Sequence, residues 1–326
     1  MRSRSVIQRS TISDTEVQLN VNSKVSLPVA KRRHPFQWLA VAVILLLFSM
    51  LVHTIMTNPA FQWSVVGQYV FSQTILYGLL RTLALTAIAM FIGIVLGLIL
   101  AVMRLSSLRL LRVSSTVYIT AFRGTPVLVQ LIFWFNLAVL FPTVALGIPY
   151  GAHLVNFNSN NLVTPWTAAI LGLGLNEAAY MSEILRAGIL SVHRGQIEAA
   201  ESLGMTKGQV LRKVVLPQAM RIVIPPTGNE TISMLKTTAI VSVIALSDLL
   251  YAAESIYTRT YQIVPLLIVA SLWYCVATVL LSLVQQRIER HYLQGVSPQN
   301  SKAQKRTLNR LLLGGGSMER LTSSDE

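Results

Sequence analysis

The sequence predicts an all-α integral membrane protein with six transmembrane helices, and three observations support this fold class. Of the 326 residues, 53% are hydrophobic and only 12% are charged, whereas charged residues make up about a quarter of a soluble domain. Six apolar segments are long enough to cross a bilayer, which takes about 20 helical residues. Lys and Arg are concentrated in alternate connections between these segments. The composition therefore excludes an ordinary soluble domain and a disordered chain.

The first apolar segment, residues 36–56, has a signal peptide as its alternative interpretation. It follows a tail of more than 30 residues and lacks a clear small-x-small cleavage site, so we interpret it as a retained anchor. The other five predicted spans are 75–103, 125–142, 164–186, 221–246 and 264–286.

The basic residues predict the orientation of the chain. Of the 27 Lys and Arg residues, 24 lie in the two tails and in the connections 104–123 and 186–221. The opposite connections hold only Arg259, while Arg81 and Lys236 lie in or beside spans. Because Lys and Arg accumulate on the cytoplasmic side of membrane proteins, both termini are predicted to be cytoplasmic. The net charge of +14 then follows from topology and does not indicate a nucleic-acid partner.

The sequence predicts neither an internal disulfide bond nor a metal site. Cys275 is the single cysteine, so no internal disulfide can form. The five histidines are scattered without the spacing of metal ligands. We therefore predict no metal site.

The cytoplasmic connection 191–217 is predicted to form two short helices with a hinge. The residues before Gly204 favour a helix. Gly204 follows them at the position where helices commonly end with a glycine in the left-handed conformation. Thr206 and Gln209 have the spacing of a capping box, which predicts the start of a second helix. Pro217 is expected to end it.

One face of the first predicted helix carries Ile197, Ala200, Leu203 and Gly204. Its small residues would let the backbone of a partner approach closely. Spacing alone leaves two interpretations open, a helix that docks onto a partner and a surface helix that lies on the membrane.

The same loop reads Glu-Ala-Ala, three residues, Gly, nine residues, Val214, one residue, and Leu-Pro. This pattern resembles the signature loop of bacterial ABC importer permeases, with Val214 as a conservative replacement for Ile. In that family the loop forms the coupling helix, which docks into a groove on the ATPase subunit. The resemblance implies this coupling role for Glu198, Ala199, Ala200 and Gly204.

Three further segments resemble the polar amino acid (histidine/glutamine-type) branch of these permeases. They are Arg-Gly-Thr-Pro-Val-Leu-Val-Gln at 123–130, Asn-Glu-Ala-Ala-Tyr-Met-Ser-Glu-Ile with Arg-Ala-Gly-Ile at 176–189, and Pro-Pro-Thr-Gly-Asn-Glu with Leu-Lys-Thr-Thr at 225–238. Ala239 departs from the branch, which has Ser there. The resemblance covers about 70–290.

The resemblance also implies a domain organisation. Residues 70–290 form the permease domain, a family-like core of five helices with the coupling loop, and 36–69 add an extra N-terminal span and an external connection. The basic tail 1–35 and the tail 291–326 are predicted to be cytoplasmic and disordered, because they are polar and poor in aromatic residues.

The function implied by the resemblance is that of a permease subunit of an ATP-driven importer for polar amino acids or related small compounds. It lies in the bacterial inner membrane with two ATPase subunits, a second permease subunit, identical or related, and an extracytoplasmic binding protein. The dipeptide Gly-Lys that a P-loop requires does not occur. ATP is therefore expected on the partner subunits, and the chain is expected to be no enzyme and to carry no cofactor.

Ionisable residues within the predicted spans are candidates for a translocation path, because charge inside a bilayer usually faces the bundle interior or water. Carboxylates suit the ammonium group of an amino acid, and a lysine suits its carboxylate. Tyr180 and Glu183 share one helix face. The candidate path residues are Glu177, Tyr180, Glu183, Glu230 and Lys236.

Other interpretations of these residues stay open. Glu183 and Arg186 are spaced to form an ion pair within one helix, and Lys236 could neutralise a buried glutamate. An ion-coupled secondary transporter would use Glu177, Glu183 or Glu230 as an ion site. A membrane enzyme would use the carboxylates as acid and base, although no nucleophile or metal cluster accompanies them.

Two local patterns predict helix geometry. Pro225-Pro226 removes two backbone donors, which predicts a kink or an interruption of the fifth span or marks the turn where that span begins. Gly93-x3-Gly97 allows close packing of one helix against another.

Overall fold

A computed structural model of the chain describes residues 35–147 and 153–293. These residues are almost entirely helical. In chain order the elements are α1 (Pro35–Thr57), a 3₁₀ turn (Pro59–Phe61), α2 (Trp63–Tyr69), α3 (Gln73–Leu105), α4 (Arg109–Gly124), α5 (Val127–Phe135), α6 (Leu137–Leu140), β1 (Thr143–Gly147), β2 (His153–Asn158), α7 (Ser159–Leu162), α8 (Pro165–Leu190), α9 (Arg194–Ser202), α10 (Lys207–Val210), a π-helix (Leu211–Val215), α11 (Leu216–Thr237), a 3₁₀-helix (Thr238–Ile244), α12 (Leu249–Thr260) and α13 (Ile263–Leu293).

Within the described residues, three helices are long and apolar enough to cross a membrane by themselves, namely α1, α3 and α13. Up to five spans result if each of two bent pairs counts as one: α4 with α5, bent by 101°, and the run from Lys207 to Ile244 with α12, bent by 44°. The predicted span 164–186 coincides with α8, whose 26 residues are long enough but not as apolar. The helical membrane class is confirmed, and the count of six spans stays a prediction.

The chain divides into two units, one up to Asn58 and one from Pro59 onward. The first unit contains α1, whose apolar side chains are largely exposed, as expected of a span in contact with lipid. The predicted tails 1–35 and 291–326 lie almost entirely outside the described residues, so their disorder stays a prediction.

The predicted connection 104–123 is largely a helix, α4, which corrects the expected boundary. Ser115 and Ile119 on one face of α4 are buried, whereas Arg109 and Arg112 are not. This helix was not predicted as part of a span, because polar residues interrupt its apolar sequence. Pro126 ends it, because the residue before a proline avoids the helical conformation, and Thr125 is extended with φ −115° and ψ 141°.

The predicted external connection 247–263 is also mainly helical. Its helix, α12, buries Leu249, Ala252, Ala253 and Ile256 against other helices of the second unit. These positions recur at helical spacing, but α12 is too short to be recognised as a span. This segment was therefore predicted only as a connection between spans, with no helix assigned to it.

The other external connection, 143–163, contains the described strands. β1 and β2 pair antiparallel, with Thr143 opposite Asn158 and an irregular register beside Gly147. This small hairpin is a departure from the predicted all-helical fold, although it lies outside the bundle of long helices.

The prolines interrupt the helices less than predicted. Pro217 does not end a helix: α10 continues through the π-helix into α11, and Pro217 lies in the first turn of α11, directly after the π-helix. Pro225 and Pro226 lie inside α11 without a break, so the predicted interruption is wrong. The break comes later, at 245–248, where Ala245 has φ 57°.

The close packing predicted for Gly93-x3-Gly97 is confirmed. Gly93 lies against Glu177, and a Cβ added at Gly97 would be 2.7 Å from Met181 Cβ. Positions 93 and 97 of α3 thus match 177 and 181 of α8 in the same order, so the two helices run parallel. Parallel packing is what the predicted topology requires, because one span lies between them.

Two apolar clusters hold the second unit together. One joins α3, α5, α8 and the segment after α11, and it includes Leu85, Leu131, Leu173 and Val241. The other joins α2, α3, α12 and α13, and it includes Ile75, Leu249, Leu266 and Val269. The first cluster positions the polar residues of α8 that are described next.

Candidate functional site

The loop 191–217 has the predicted hinge and caps. Gly204 adopts φ +78°, and the Met205 N–H donates to Ala200 O (3.2 Å) while the Gly204 N–H donates to Glu201 O (2.9 Å). These two bonds form the Schellman motif that ends a helix at a left-handed glycine. Thr206 and Gln209 form the predicted capping box. The two helices and the hinge are therefore confirmed.

The structure divides the predicted face of α9 in two. Ala200 is only 5% exposed and packs in a small core with Val192, Val210 and Val215. Leu203 is 83% exposed, and a Cβ at Gly204 would meet open space. Ile197 and Ala200 therefore face the chain itself, whereas Leu203 and Gly204 face outward.

The outward surface of α9 is available to a partner. It consists of exposed residues, three of which are predicted coupling residues: Glu198, Ala199, Glu201, Ser202, Leu203 and Gly204. We call this set the outer α9 face. The fourth predicted coupling residue, Ala200, lies beneath it and supports it from within.

The elbow between α4 and α5 is hydrogen-bonded to α8. Asn176 Nδ2 donates to Phe122 O (2.9 Å) and is 3.3 Å from Gln130 Oε1. Gln130 Nε2 in turn donates to Phe122 O (2.9 Å) and to Thr125 Oγ1 (2.6 Å). These side chains satisfy backbone groups that the 101° bend leaves free, as buried backbone requires. They place Arg123, at the elbow, against α8.

Tyr180 lies beneath Arg123. The guanidinium carbon is 5.0 Å from the centre of the Tyr180 ring, a cation–π distance. Tyr180 is ten residues before the end of α8, about 15 Å along the helix axis. Arg123 was counted among the cytoplasmic loop cations; it is exposed, and it contacts α8 well before the end of that helix.

Glu183 is held by two arginines. One carboxylate oxygen pairs with Arg104 of α3, and the other accepts from Arg186 Nη2 at 2.8 Å. The predicted pair with Arg186 is confirmed, and Arg104 is the partner that sequence spacing could not identify. Glu183 therefore fastens α3 to α8, which favours a structural role.

Unlike Glu183, the candidate residues Glu177 and Glu230 form no ion pair among the described residues. Glu177 is 3% exposed, and its Oε1 has no hydrogen-bond partner among the described residues. Glu230 is half-buried on α11 and interacts electrostatically with both Glu177 and Arg123. Lys236 is exposed and forms no ion pair within the described part of the chain. Glu230 is therefore within electrostatic range of both Glu177 and Arg123, whereas Lys236 pairs with no glutamate among the described residues.

Asp248 is a buried acid that the sequence prediction missed. Its Oδ1 accepts from the Tyr251 N–H at 2.8 Å and caps α12, and its Oδ2 accepts from the Tyr274 hydroxyl at 3.2 Å. The Leu249 N–H donates to Thr82 Oγ1 at 3.0 Å. An aspartate directly before an apolar run is a helix-start signal that could have identified this residue. Asp248 joins α12 to α13, and the neighbouring Leu249 N–H joins α12 to α3.

Among the described residues, no three His, Cys, Asp or Glu side chains are grouped to hold a metal ion.

Comparison with known proteins places this geometry in a family. Residues 93–294 match the model of "Binding-protein-dependent transport system inner membrane component". The chain is 44% identical over 81% of its length to the arginine transport system permease protein ArgU of Corynebacterium glutamicum, covering 82% of that protein. It is 40% identical over 72% of its length to the L-cystine transport system permease protein TcyB of Bacillus subtilis, covering 92% of it.

Solved structures give the same result. A chain of an amino acid ABC transporter crystallised with histidines is 39% identical, with a TM-score of 0.56, and the match covers 67% of this chain and 94% of that one. A chain of the inward-facing MetNI methionine ABC transporter, 19% identical, shares the fold with a TM-score of 0.55 over 69% of this chain and all of that one. The chain belongs to the family of inner membrane components of binding-protein-dependent transport systems.

Proposed function

We propose that the chain is the permease subunit of an ATP-driven importer for polar amino acids or related small compounds. The observation that supports the proposal most strongly is the outer α9 face, which is exposed. It lies on the loop whose second helix, α10, continues through the π-helix into α11. The arginine and cystine transport functions of its relatives support the substrate class.

The proposed assembly contains two ATPase subunits, a second permease subunit, identical or related, and an extracytoplasmic binding protein. Both termini and the loop 191–217 lie on the cytoplasmic side, where ATP is available. The ATPases bind the nucleotide, and this chain needs no cofactor of its own.

The proposed mechanism couples two conformations of the bundle to the nucleotide state of the ATPases. Closure of the ATPases moves the docked α9, and the helical run that follows α9 carries this movement into α11 and Glu230. A partner shifts such an equilibrium only through contacts that differ between the two states. The outer α9 face supplies these contacts, and Glu198, Ala199, Ala200 and Gly204 keep the coupling role expected of them.

The proposed translocation path passes the cluster of Glu177, Tyr180, Glu230 and Arg123. Glu230 receives the ammonium group of the substrate, and Arg123 suits its carboxylate because a guanidinium forms paired hydrogen bonds with carboxylates. Glu183 keeps a structural role because both of its oxygens are already paired. Lys236 remains a second candidate for the carboxylate.

The docking step is tested with Ala199→Asp. Ala199 is exposed, so an aspartate adds charge and bulk to the outer α9 face without disturbing the small core. We expect the variant to fold but to lose co-purification of the ATPases and substrate-stimulated ATP hydrolysis. Ala200→Asp is a poorer test, because it would place a charge in that core.

Gly67→Asp is the matched control, since it also introduces an aspartate at an open position, but on α2. It should leave ATPase binding unchanged. Full ATPase binding and stimulation in Ala199→Asp would refute docking through this face. Transport that follows an ion gradient without any ATPase would instead favour a secondary transporter.

A further inference from the structure

A side-chain hydrogen bond joins the coupling loop to the bundle. Gln218 Nε2, in the first turn of α11, donates to Gln196 Oε1 of α9 at 2.6 Å. The same nitrogen donates to Val214 O at 3.0 Å. Gln218 is half-buried, and Gln196 is on the surface. The two glutamines are 22 residues apart in the chain, so this bond closes the loop that contains the hinge at Gly204.

The bond lies where the helical run changes its geometry. The π-helix Leu211–Val215 separates α10 from α11, and π segments inside helices often mark functional sites. Gln218 bridges the junction, because it is bonded to Val214 in the π-helix and to α9 across the loop. A movement of α9 can therefore reach α11 directly, without passing through the hinge and the π-helix.

Within the described part of the chain, α9 also contacts the following helices through the small apolar core of Val192, Ala200, Val210 and Val215. Apolar contacts are non-directional and tolerate sliding, whereas a hydrogen bond weakens steeply when its geometry changes. The glutamine pair thus fixes the position of α9 along α11 more strictly than the core does.

We infer that Gln196 and Gln218 are positioning residues that make α9 and α11 move as one body during transport. This inference rests on the proposed function, since it needs α9 to be the part that the ATPases move. The link contacts neither substrate nor nucleotide. Its loss should therefore reduce the coupling of ATP hydrolysis to transport and leave ATPase binding intact.

The test uses the complete complex of permease, ATPases and binding protein in proteoliposomes, with uptake and ATP hydrolysis measured together. Gln196→Leu and Gln218→Leu should each lower the amount of substrate moved per ATP, by roughly two- to fivefold for one hydrogen bond. Gln196→Glu should retain coupling, because a carboxylate can still accept from Gln218. Gln68→Leu, an exposed glutamine on α2, is the matched control.

The double variant Gln196→Leu/Gln218→Leu decides whether the two residues act through one bond. A shared bond predicts that the double variant is no worse than the more severe single variant. Independent, additive losses, or wild-type coupling in both single variants, would overturn the inference. The variant Ala199→Asp separates this inference from the proposed function. If Ala199→Asp abolishes ATPase binding while the leucine variants couple normally, the docking proposal is supported and only the role of the glutamine pair is refuted. If Ala199→Asp has no effect, the docking proposal itself is refuted.

Discussion

The three glutamates of the predicted path differ in what already holds them. Glu183 is paired with Arg104 and Arg186, so a substrate ammonium would have to displace an existing ion pair. Glu177 is buried with one oxygen that lacks a hydrogen-bond partner among the described residues, and Glu230 is half-buried and closer to solvent. Of the three, Glu230 is therefore the residue that we propose binds and releases the charged substrate.

Glu230→Gln should lower uptake by roughly tenfold or more, because a charge-assisted hydrogen bond to the substrate is lost. The thermal stability of the complex should stay the same. Glu183→Gln is the contrasting variant: it leaves two guanidinium groups with a neutral partner and should lower Tm before it lowers uptake. The measurements are uptake and Tm of both variants. Wild-type uptake in Glu230→Gln would contradict the assigned path.

At the scale of elements, the parallel pair α3 and α8 is the framework that positions the site. Gly97→Leu should destabilise this pair by about 1–3 kcal/mol, the usual cost of overpacking, because even a Cβ at Gly97 would be 2.7 Å from Met181 Cβ. The check is Tm and yield of the variant. Gly67→Leu, at an open position, should behave like wild type. Equal stability of both variants would contradict the packing.

The elements that could be predicted are those whose signals are local. Gly204 and the Thr206–Gln209 capping box depend on neighbouring backbone groups, so sequence spacing identified them. Helices α4 and α12 were missed because polar residues interrupt the apolar pattern of α4 and because α12 is too short to be recognised as a span. The partners of the site were missed for another reason: Arg104 reaches Glu183 across 79 positions of sequence. Such pairings depend on the packing of α3 against α8 and cannot be read from either helix alone.

At the scale of the whole molecule, the net charge of +14 still describes topology. Arg123, however, is exposed and yet contacts Tyr180 of α8, so a basic residue of a predicted loop can also bind a helix of the bundle. The orientation therefore depends on the tails and on the loop 191–217 more than on the connection 104–123.

Labelling with a membrane-impermeant thiol reagent tests this orientation. In a Cys275→Ser background, Ser202→Cys should react only from the cytoplasmic side and Asn160→Cys only from the opposite side, because both residues are exposed and lie at opposite ends of the bundle in the predicted topology. Inside-out vesicles and intact cells distinguish the two sides. The reverse pattern would contradict the assigned orientation.

We propose that ATP drives this permease through its cytoplasmic loop, and uptake into proteoliposomes tests this proposal most directly. The complex is supplied with binding protein and a labelled polar amino acid, and either ATP or an ion gradient is the energy source. We expect uptake that requires ATP hydrolysis on the loop side and that persists when ionophores remove every gradient. Uptake that proceeds on a gradient alone and stops when the gradient is removed would contradict ATP-driven import.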